Sequence, residues 1–446
     1  MPKIAIVGAG SMGFSKRLLG DILSFPELSE STISLMDIDE RRLDLITQLA
    51  EKMVRQERWG AKIESTTNRR KALDGADYVI ITIAVGGLEA YLPDIQIPDK
   101  YGVNQNVGDT LGPGGVFRGL RLIPILLDIC RDMEKLCPKA LLINYTNPMA
   151  INCWAMNKTT RIKSIGLCHS VQGTAKQLAW HIGAPYEEIS YWVAGINHMA
   201  WFLELKWKKK DAYPILRRIE NSKLWDVLGE YGEAKLKDAV RFEIFKKFGY
   251  FVTESSFHMS EYVPYFRKTE KQIEELGVSK RWWLEHVKSE KTYFKEIERE
   301  VLSKEKIKIE RTEEYAAYII HSMETDIPCR INGNVKNKSL VTNLPEGCCV
   351  EVPCLVDKTG IHPCYVGDLP SQCAALNRTN INVQELAVKA ALEKDKKAAI
   401  QAVMLDPLTS SLLTLDEIHR MVEEMFEAER KYLPQFSGEE REESKR

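Results

Sequence analysis

The sequence predicts an α/β protein: an N-terminal, doubly wound parallel sheet followed by a C-terminal α+β region. Three observations predict it. The chain opens on an apolar run that ends in glycines, "KIAIVGAG". Its first third alternates strand-length apolar runs with helix-periodic stretches. Its last third carries a β-like segment broken by Asn, Gly and Pro, followed by two helix-like stretches.

The elements follow in order. "KIAIVGAG" reads as a strand buried on both faces, because a parallel strand covered by helices needs apolar side chains on each side. "STISLMDID", "ADYVIITIA" and "ALLINYTNP" are further strands, and "GVFRGLRLIPILLDICRDMEKLC" has helical spacing ahead of the last. Strands alternating with helices make a parallel sheet, expected over residues 1–165. Beyond it, "EEISYWVAGINH" predicts a strand running into a loop. Residues 209–245 and 270–325 predict charged, solvated helices, and "RINGNVKNKSLVTNLPEGCCVEVPCLVDKTGIHP" predicts β structure. Helices are expected over 382–404 and 414–430. These form a second unit over 166–435, with a disordered tail over 436–446.

Composition narrows the function. Of 446 residues, 44% are hydrophobic and 28% charged, and the formal net charge is −1. Such a balance offers no basic field for nucleic acid and no polybasic anchor for a membrane. No apolar run reaches the roughly 18–20 residues of a membrane span. "MPKIAIVG" lacks the features of a signal peptide, which points to the cytoplasm. The ten cysteines include no CxxC pair, so free buried thiols are expected rather than disulfides or a zinc knuckle. Cys348 and Cys349, in an apolar run, are expected in the core.

Four stretches carry chemistry. Gly8, Gly10 and Gly13, with Ser11 among them, form GxGxxG after a strand, and Asp37 and Asp39 end the next strand. In that context the motif is a dinucleotide fingerprint. Gly8 makes the tight turn, Gly10 lets a pyrophosphate reach the backbone, and Gly13 lets helix and strand pack. The helix N-terminus faces the phosphates, and Asp37 or Asp39 accepts from the ribose, which favours NAD. Cys168 and His198 are ligand-type side chains near strand ends, although either alone would more often be core. Around them Asn144, Asn147, Asn197, Gln172, Thr174 and His169 interrupt apolar segments. So many amides are costly to bury unpartnered, and they suggest a polyhydroxylated ligand and a metal. Two protein ligands suit an octahedral ion such as Mn²⁺ better than zinc. "NVGDTLGPGGVFRGLR" sets Asp109 and Arg118 beside a glycine turn, readable as a lid, a cofactor-facing loop or a plain connection. "YFVTESSFHMSEYVPYF" clusters Glu254, His258, Glu261, Tyr262 and Tyr265, readable as core, as a base or as a sugar-stacking surface.

Taken together, these stretches resemble family 4 glycoside hydrolases, and most closely their α-galactosidase branch. The matching stretches include "GAGSMGFSKRLLGDIL", "MDID", "GDTLGPGGVFRGLR", "NYTNPMAINCWAM", "GLCHSVQGT", "GINHMAW", "EYVPYF" and "LNRTNINVQ". The resemblance implies a redox-elimination mechanism. NAD⁺ takes hydride from sugar C3, a divalent metal polarises the C2 and C3 oxygens, and a base removes the C2 proton. The C1–O bond then breaks, water adds, and the hydride returns with no net redox change. It further implies Cys168 and His198 as metal ligands and Tyr262 as the base, with Tyr265 as the alternative. His169 and Asp109 become candidate catalytic groups, with His169 in the position of a leaving-group acid. Asn147, Asn197 and Arg118 become substrate contacts. Gly8, Gly10, Ser11, Gly13, Asp37 and Asn144 become the NAD site. His169 also argues against a 6-phosphate sugar. A small glycoside substrate and a homodimer or homotetramer are expected. The alternatives are an α-galacturonidase or α-glucuronidase of the same family, or a plain NAD-dependent 2-hydroxy acid dehydrogenase of the lactate or malate type, which shares the Rossmann-like start.

Overall fold

The computed structural model describes residues 1–222, 226–227, 236–279 and 282–436. The N-terminal strands are β1 (Lys3–Val7), β2 (Thr32–Met36), β3 (Lys62–Thr66), β4 (Tyr78–Ile81), β5 (Leu141–Asn144) and β6 (Ser164–Gly166). They pair in parallel in the order β3-β2-β1-β4-β5-β6, the classical dinucleotide-binding order with its switch point between β1 and β4. β1, β2 and β4 are buried almost throughout. β3 escapes the sequence reading because it is a half-exposed edge strand; "KIEST" has one apolar side chain, Ile63, and so shows neither a continuous apolar run nor an alternation.

The sheet does not stop at β6. The later strands are β7 (Ile189–Ile196), β8 (Met199–Trp207), β9 (Lys210–Asp211), the separate ribbon β10 (Asp226–Val227) and β11 (Leu236–Lys237), then β12 (Cys329–Lys336), β13 (Cys349–Asp357) and β14 (Gly360–Pro363). β12 pairs antiparallel with β6, and the order continues β12-β13-β7-β8-β9, giving one sheet of 12 strands with β14 on β13. Gly166 makes the junction possible. A Cβ there would lie 2.5 Å from Met149 Sδ, 2.6 Å from Cys153 Sγ and 3.0 Å from Asn334 Cβ.

One row of registered residues crosses most of this sheet: Met36, Val7, Ile81, Asn144, Gly166, Asn334, Glu351 and Gly195. It marks the carboxyl ends of the parallel strands, where open α/β sheets place their ligands. The loops that leave this row carry the glycine motif, Asp37, Asn147, Cys168, His169, Asn197 and His198, while Asp109, Arg118 and Tyr262 come from other segments.

Two expected helices come out differently. Residues 209–245 are not one helical stretch: Lys208 and Lys209 take positive φ to turn the β8–β9 hairpin, and among the described residues helices follow at Tyr213–Ser222 and Ala239–Phe248. Nor is 382–404 one helix. Ser371–Glu393 ends at left-handed Lys394, and Asp395 caps a second helix, Lys396–Met404, by accepting from Ala398 N–H at 3.0 Å. That cap supplies a better start than continuation would. The last helix, Leu415–Ala428, begins at a capping box of Thr414 and Glu417. Of the expected tail, only Phe436 is described; it packs on Phe426, and 437–446 lie outside the described residues.

The core runs under both halves of the sheet, with a smaller cluster beneath β7 and β8. All ten cysteines are free, and Cys348 and Cys349 are fully buried. Among the described residues no helix is long and apolar enough to cross a membrane.

Candidate active site

The glycine loop follows β1. Gly8 has φ +94, and a Cβ on it would stand 2.7 Å from the Thr82 carbonyl carbon, so the turn is closed to other residues. Gly10 N–H donates to Asp37 Oδ2 at 2.7 Å. The other Asp37 oxygen accepts from Asp39 N–H at 2.9 Å. Asp39 instead caps the helix Glu40–Glu57 by accepting from Arg42 N–H. Of the two aspartates, Asp37 is therefore the one that faces the glycines. Ser11 stands at the N-cap of helix Met12–Leu23 and makes no side-chain cap there, so that end keeps open N–H groups. Gly13 differs from expectation: a Cβ there would meet the ring of Tyr293 at 3.3 Å, so it admits the helix Trp282–Leu302 rather than strand packing.

Beyond β6 and β7 a second, buried cluster forms. Cys168 follows β6, and His198 sits at φ +61 in the two-residue loop joining β7 to β8. Their reactive atoms are close: Cys168 Sγ lies 3.2 Å from His198 Nε2. On the other side of the ring, His198 Nδ1 lies 3.1 Å from Tyr262 Oη and 3.5 Å from Thr110 Oγ1. Thr110 Oγ1 donates to Asp109 Oδ1 at 2.7 Å, and Asn147 Nδ2 donates to Asp109 Oδ2 at 3.0 Å. Arg118 Nε donates to the Asn147 carbonyl at 3.1 Å. Residues from four loops and two helices thus meet in one network. His258 joins it with its ring 4.7 Å from that of His198, and it pairs with Glu254. Asn197 is 1% exposed, and both ends of its amide lack a partner among the described residues.

The charges are arranged to differ. Burial, then the charge on His258, pushes His198 down to about 4, so it is a neutral imidazole at pH 7. Burial opposes a charge on His258, but Glu254 and Asp109 outweigh it and lift that histidine to about 9. Burial would raise Asp109, yet Arg118, His258 and His198 hold it below the usual carboxylate range. Burial pushes the Cys168 thiol up to about 12. Tyr262 is raised well above its ordinary value by burial and by Asp109, Glu261 and Glu254. Without a further cation, both keep their protons.

Several expected residues stand elsewhere. Tyr262 is 2% exposed and inside the network, whereas Tyr265 is 46% exposed on the surface. Asn144 is buried and spent on its own turn, donating to the Thr146 carbonyl and accepting from Thr146 N–H. The Gly-Pro-Gly-Gly turn is no lid; it is the buried first turn of helix Gly112–Leu136, where a Cβ on Gly114 would lie 2.4 Å from Gly108 O. Glu261 grips the preceding loop, accepting from the backbone N–H groups of Asn106, Val107 and Gly108. His169 occupies the N-cap position of the helix Ser170–Ile182 without a side-chain cap bond, at the rim, 3.7 Å from Glu314. Sequence reasoning missed Thr110, Glu314 and Arg241, which holds the Glu254 carbonyl, Thr174 and Asp238. Thr110 and Glu314 join partners 88 and 145 positions away, so no local pattern reveals them.

The class of protein is now definable: a dinucleotide-type α/β sheet with a thiol, an imidazole and a phenol gathered at its carboxyl edge. The Cryptosporidium parvum lactate dehydrogenase, complexed with lactic acid and nicotinamide adenine dinucleotide, has the same general fold (TM-score 0.51, 16% identity, 87% of this chain and 98% of that one). Residues 3–183 match the family 4 glycosyl hydrolase model, and residues 193–409 match the C-terminal domain of that family. An α-galactosidase of Bacillus subtilis is 42% identical over 98% of this chain and all of its own. An α-galacturonidase of Thermoanaerobacter italicus is 30% identical over 97% of each. Among solved structures, Bacillus subtilis LplD has a TM-score of 0.86 at 28% identity, covering 95% and 99%. The Thermotoga maritima 6-phospho-β-glucosidase with manganese, NAD⁺ and glucose-6-phosphate has a TM-score of 0.79 at 23% identity, covering 96% and 99%. The chain belongs to family 4 of the glycosyl hydrolases and is a glycosidase.

Proposed function

We propose that the protein hydrolyses terminal α-galactosides, using NAD and a divalent metal, Mn²⁺ by preference. The observation that carries the choice of sugar is the 42% identity to an α-galactosidase, set against 30% to an α-galacturonidase. His169 in the position after Cys168 supports an unphosphorylated sugar. A plain dehydrogenase would have no use for the buried Cys168–His198 pair.

The residues present fit both groups. Cys168 Sγ and His198 Nε2 are the adjacent sulfur and nitrogen donors that would hold the metal. The observed separation is 3.2 Å. His198 is already neutral, as a ligand must be. The orphaned amide of Asn197 beside it awaits a partner. Among the described residues no third Cys, His, Asp or Glu completes a cluster, which leaves positions for substrate and water. Gly10, the N–H groups after Ser11, and Asp37 would hold the dinucleotide's phosphates and ribose. When bound, NAD supplies a reversible hydride acceptor and the metal a Lewis acid for the sugar oxygens.

The chain's own residues then have distinct tasks. If His198 Nε2 held the metal, its proton would sit on Nδ1, where it could be donated to Tyr262 Oη, 3.1 Å away. Tyr262 can take a proton from the sugar ring only as its tyrosinate, a form that the donated Nδ1–H and the charge of a bound cation would favour against the burial that otherwise keeps the phenol protonated. Asp109, Asn147 and Arg118 orient hydroxyls at the partly open side of the network. His169, partnered by Glu314, offers a proton to the leaving group at the rim. We place the cofactor in residues 1–165 and the metal in 166–435, with the substrate held between the two, and we read the enzyme as a cytoplasmic homodimer or homotetramer.

The test is hydrolysis of p-nitrophenyl α-galactoside beside the α-galacturonide, with NAD⁺, Mn²⁺ and thiol each left out in turn. Galactoside cleavage that needs all three, without net NADH, is expected. Preference for the galacturonide would move the sugar assignment, and NADH accumulation from a hydroxy acid would end the glycosidase reading.

A further inference from the structure

An open cleft of about 210 Å³ lies beside His169, outside the network just described. Tyr186, Tyr191 and Tyr315 line it, together with Gln172, Glu313 and Arg330. Two segments join it to the site. Gln172 lies in the first turn of the helix that follows His169. Glu314, which approaches His169, stands between Glu313 and Tyr315 of the cleft wall. Two stretches of chain are therefore shared by the wall of the cleft and the rim of the site.

The lining suits a ring with one apolar face and a polar edge. The hydroxyls of Tyr186 and Tyr191 lie 3.4 Å apart, and the Arg330 guanidinium stands 5.6 Å from the centre of the Tyr191 ring. Gln172 is 4% exposed; its Nε2 donates to the Glu313 carbonyl at 3.4 Å, but its Oε1 has no partner among the described residues. A buried acceptor left bare is costly, and a ligand hydroxyl would satisfy it. The volume is below the roughly 300–1,000 Å³ of drug-sized pockets, room for one ring rather than a long chain.

We propose that this cleft is the leaving-group subsite: it holds the neutral pyranose ring released from the galactoside, stacked on the tyrosines, with its hydroxyls on Gln172, Glu313 and Arg330. The proposal rests on the α-galactosidase reading above. In use, the leaving sugar's glycosidic oxygen would point back toward His169.

The experiment has two arms, run on the full chain with NAD⁺ and Mn²⁺. The first compares melibiose, which has a glucose leaving group, with methyl α-galactoside, whose methyl group is too small to reach the cleft. Tyr191→Ala and Arg330→Ala are expected to lower kcat/KM on melibiose by about tenfold and on the methyl glycoside by under about twofold. Equal losses on both substrates, or no loss on either, would overturn the proposal. The second arm titrates glucose alone into wild type and Tyr191→Ala by saturation-transfer NMR. Binding by wild type that the variant loses is expected; no binding, or binding unchanged by the substitution, overturns the cleft assignment. If wild type cleaves neither galactoside yet binds glucose in the cleft, the galactoside reading falls and the leaving-group role with it, and only the cleft's capacity for a pyranose ring stands.

Discussion

The two ends of the sheet's carboxyl edge are built in opposite ways. At β1 and β2 the site is backbone: glycines, an open helix N-terminus and one carboxylate, all within residues 8–37. At β6, β7 and the helix Ser256–Tyr262 it is side chains, drawn from residues 109–262 and held by buried charge. The first design recognises a fixed, repeated shape, a diphosphate against peptide N–H groups. The second prepares proton states. His198 is held neutral and His258 charged while their rings lie 4.7 Å apart, and such a split between neighbouring groups assigns them different roles.

The comparison can be broken most severely at the side-chain end. Cys168→Ser is expected to lower kcat by about 10³-fold, near 4 kcal/mol. NAD affinity should change by less than about twofold. A variant that keeps Mn²⁺-dependent turnover would separate Cys168 from the metal. Tyr262→Phe should lower kcat by roughly 10²-fold with KM little changed, while Tyr265→Phe, on the surface, leaves both alone. The reverse pattern would move the base to Tyr265.

The charge split makes a prediction about stability. His258 has its folded-state value raised from 6.5 to about 9. The stabilisation from its pairing with Glu254 is therefore complete below pH 6.5 and lost as pH rises through 9. Melting temperature should fall across that window by an amount corresponding to about 3 kcal/mol. In Glu254→Gln the fall should flatten; an unchanged slope would mean that other groups set it.

The smallest effect is expected at the backbone end. Asp37→Ala should weaken NAD binding by about tenfold, the worth of a hydrogen bond to a ribose hydroxyl, with kcat at saturating NAD unchanged. A loss in kcat instead would tie the two ends together more closely than their separate construction suggests.

This contrast also explains what could be read in advance. β1, β2, β4 and β5, the glycine loop and the Asp37–Asp39 pair are local in sequence, and their apolar runs and turn residues speak for themselves. Cys168, His198 and Tyr262 were visible only as residue types in polar knots or through resemblance. Thr110, Glu314 and Arg241 had no signal at all, because what makes them part of the site is a partner on a distant loop. The Gly-Pro-Gly-Gly turn misled for the same reason: its glycines suggest a mobile lid until Gly108 O and Thr110 are seen against them.

By itself, then, the sequence determined the parallel half, the dinucleotide loop and the family, since each depends on short-range periodicity or on a motif whose residues act within one turn. Tertiary structure decided the rest. It carried the sheet across Gly166 into the antiparallel strands, chose Tyr262 over Tyr265 by burial and Asp37 over Asp39 by capping, and set the proton states of the two histidines. Those outcomes depend on distance and on exclusion from water, and both are fixed only when remote segments pack together.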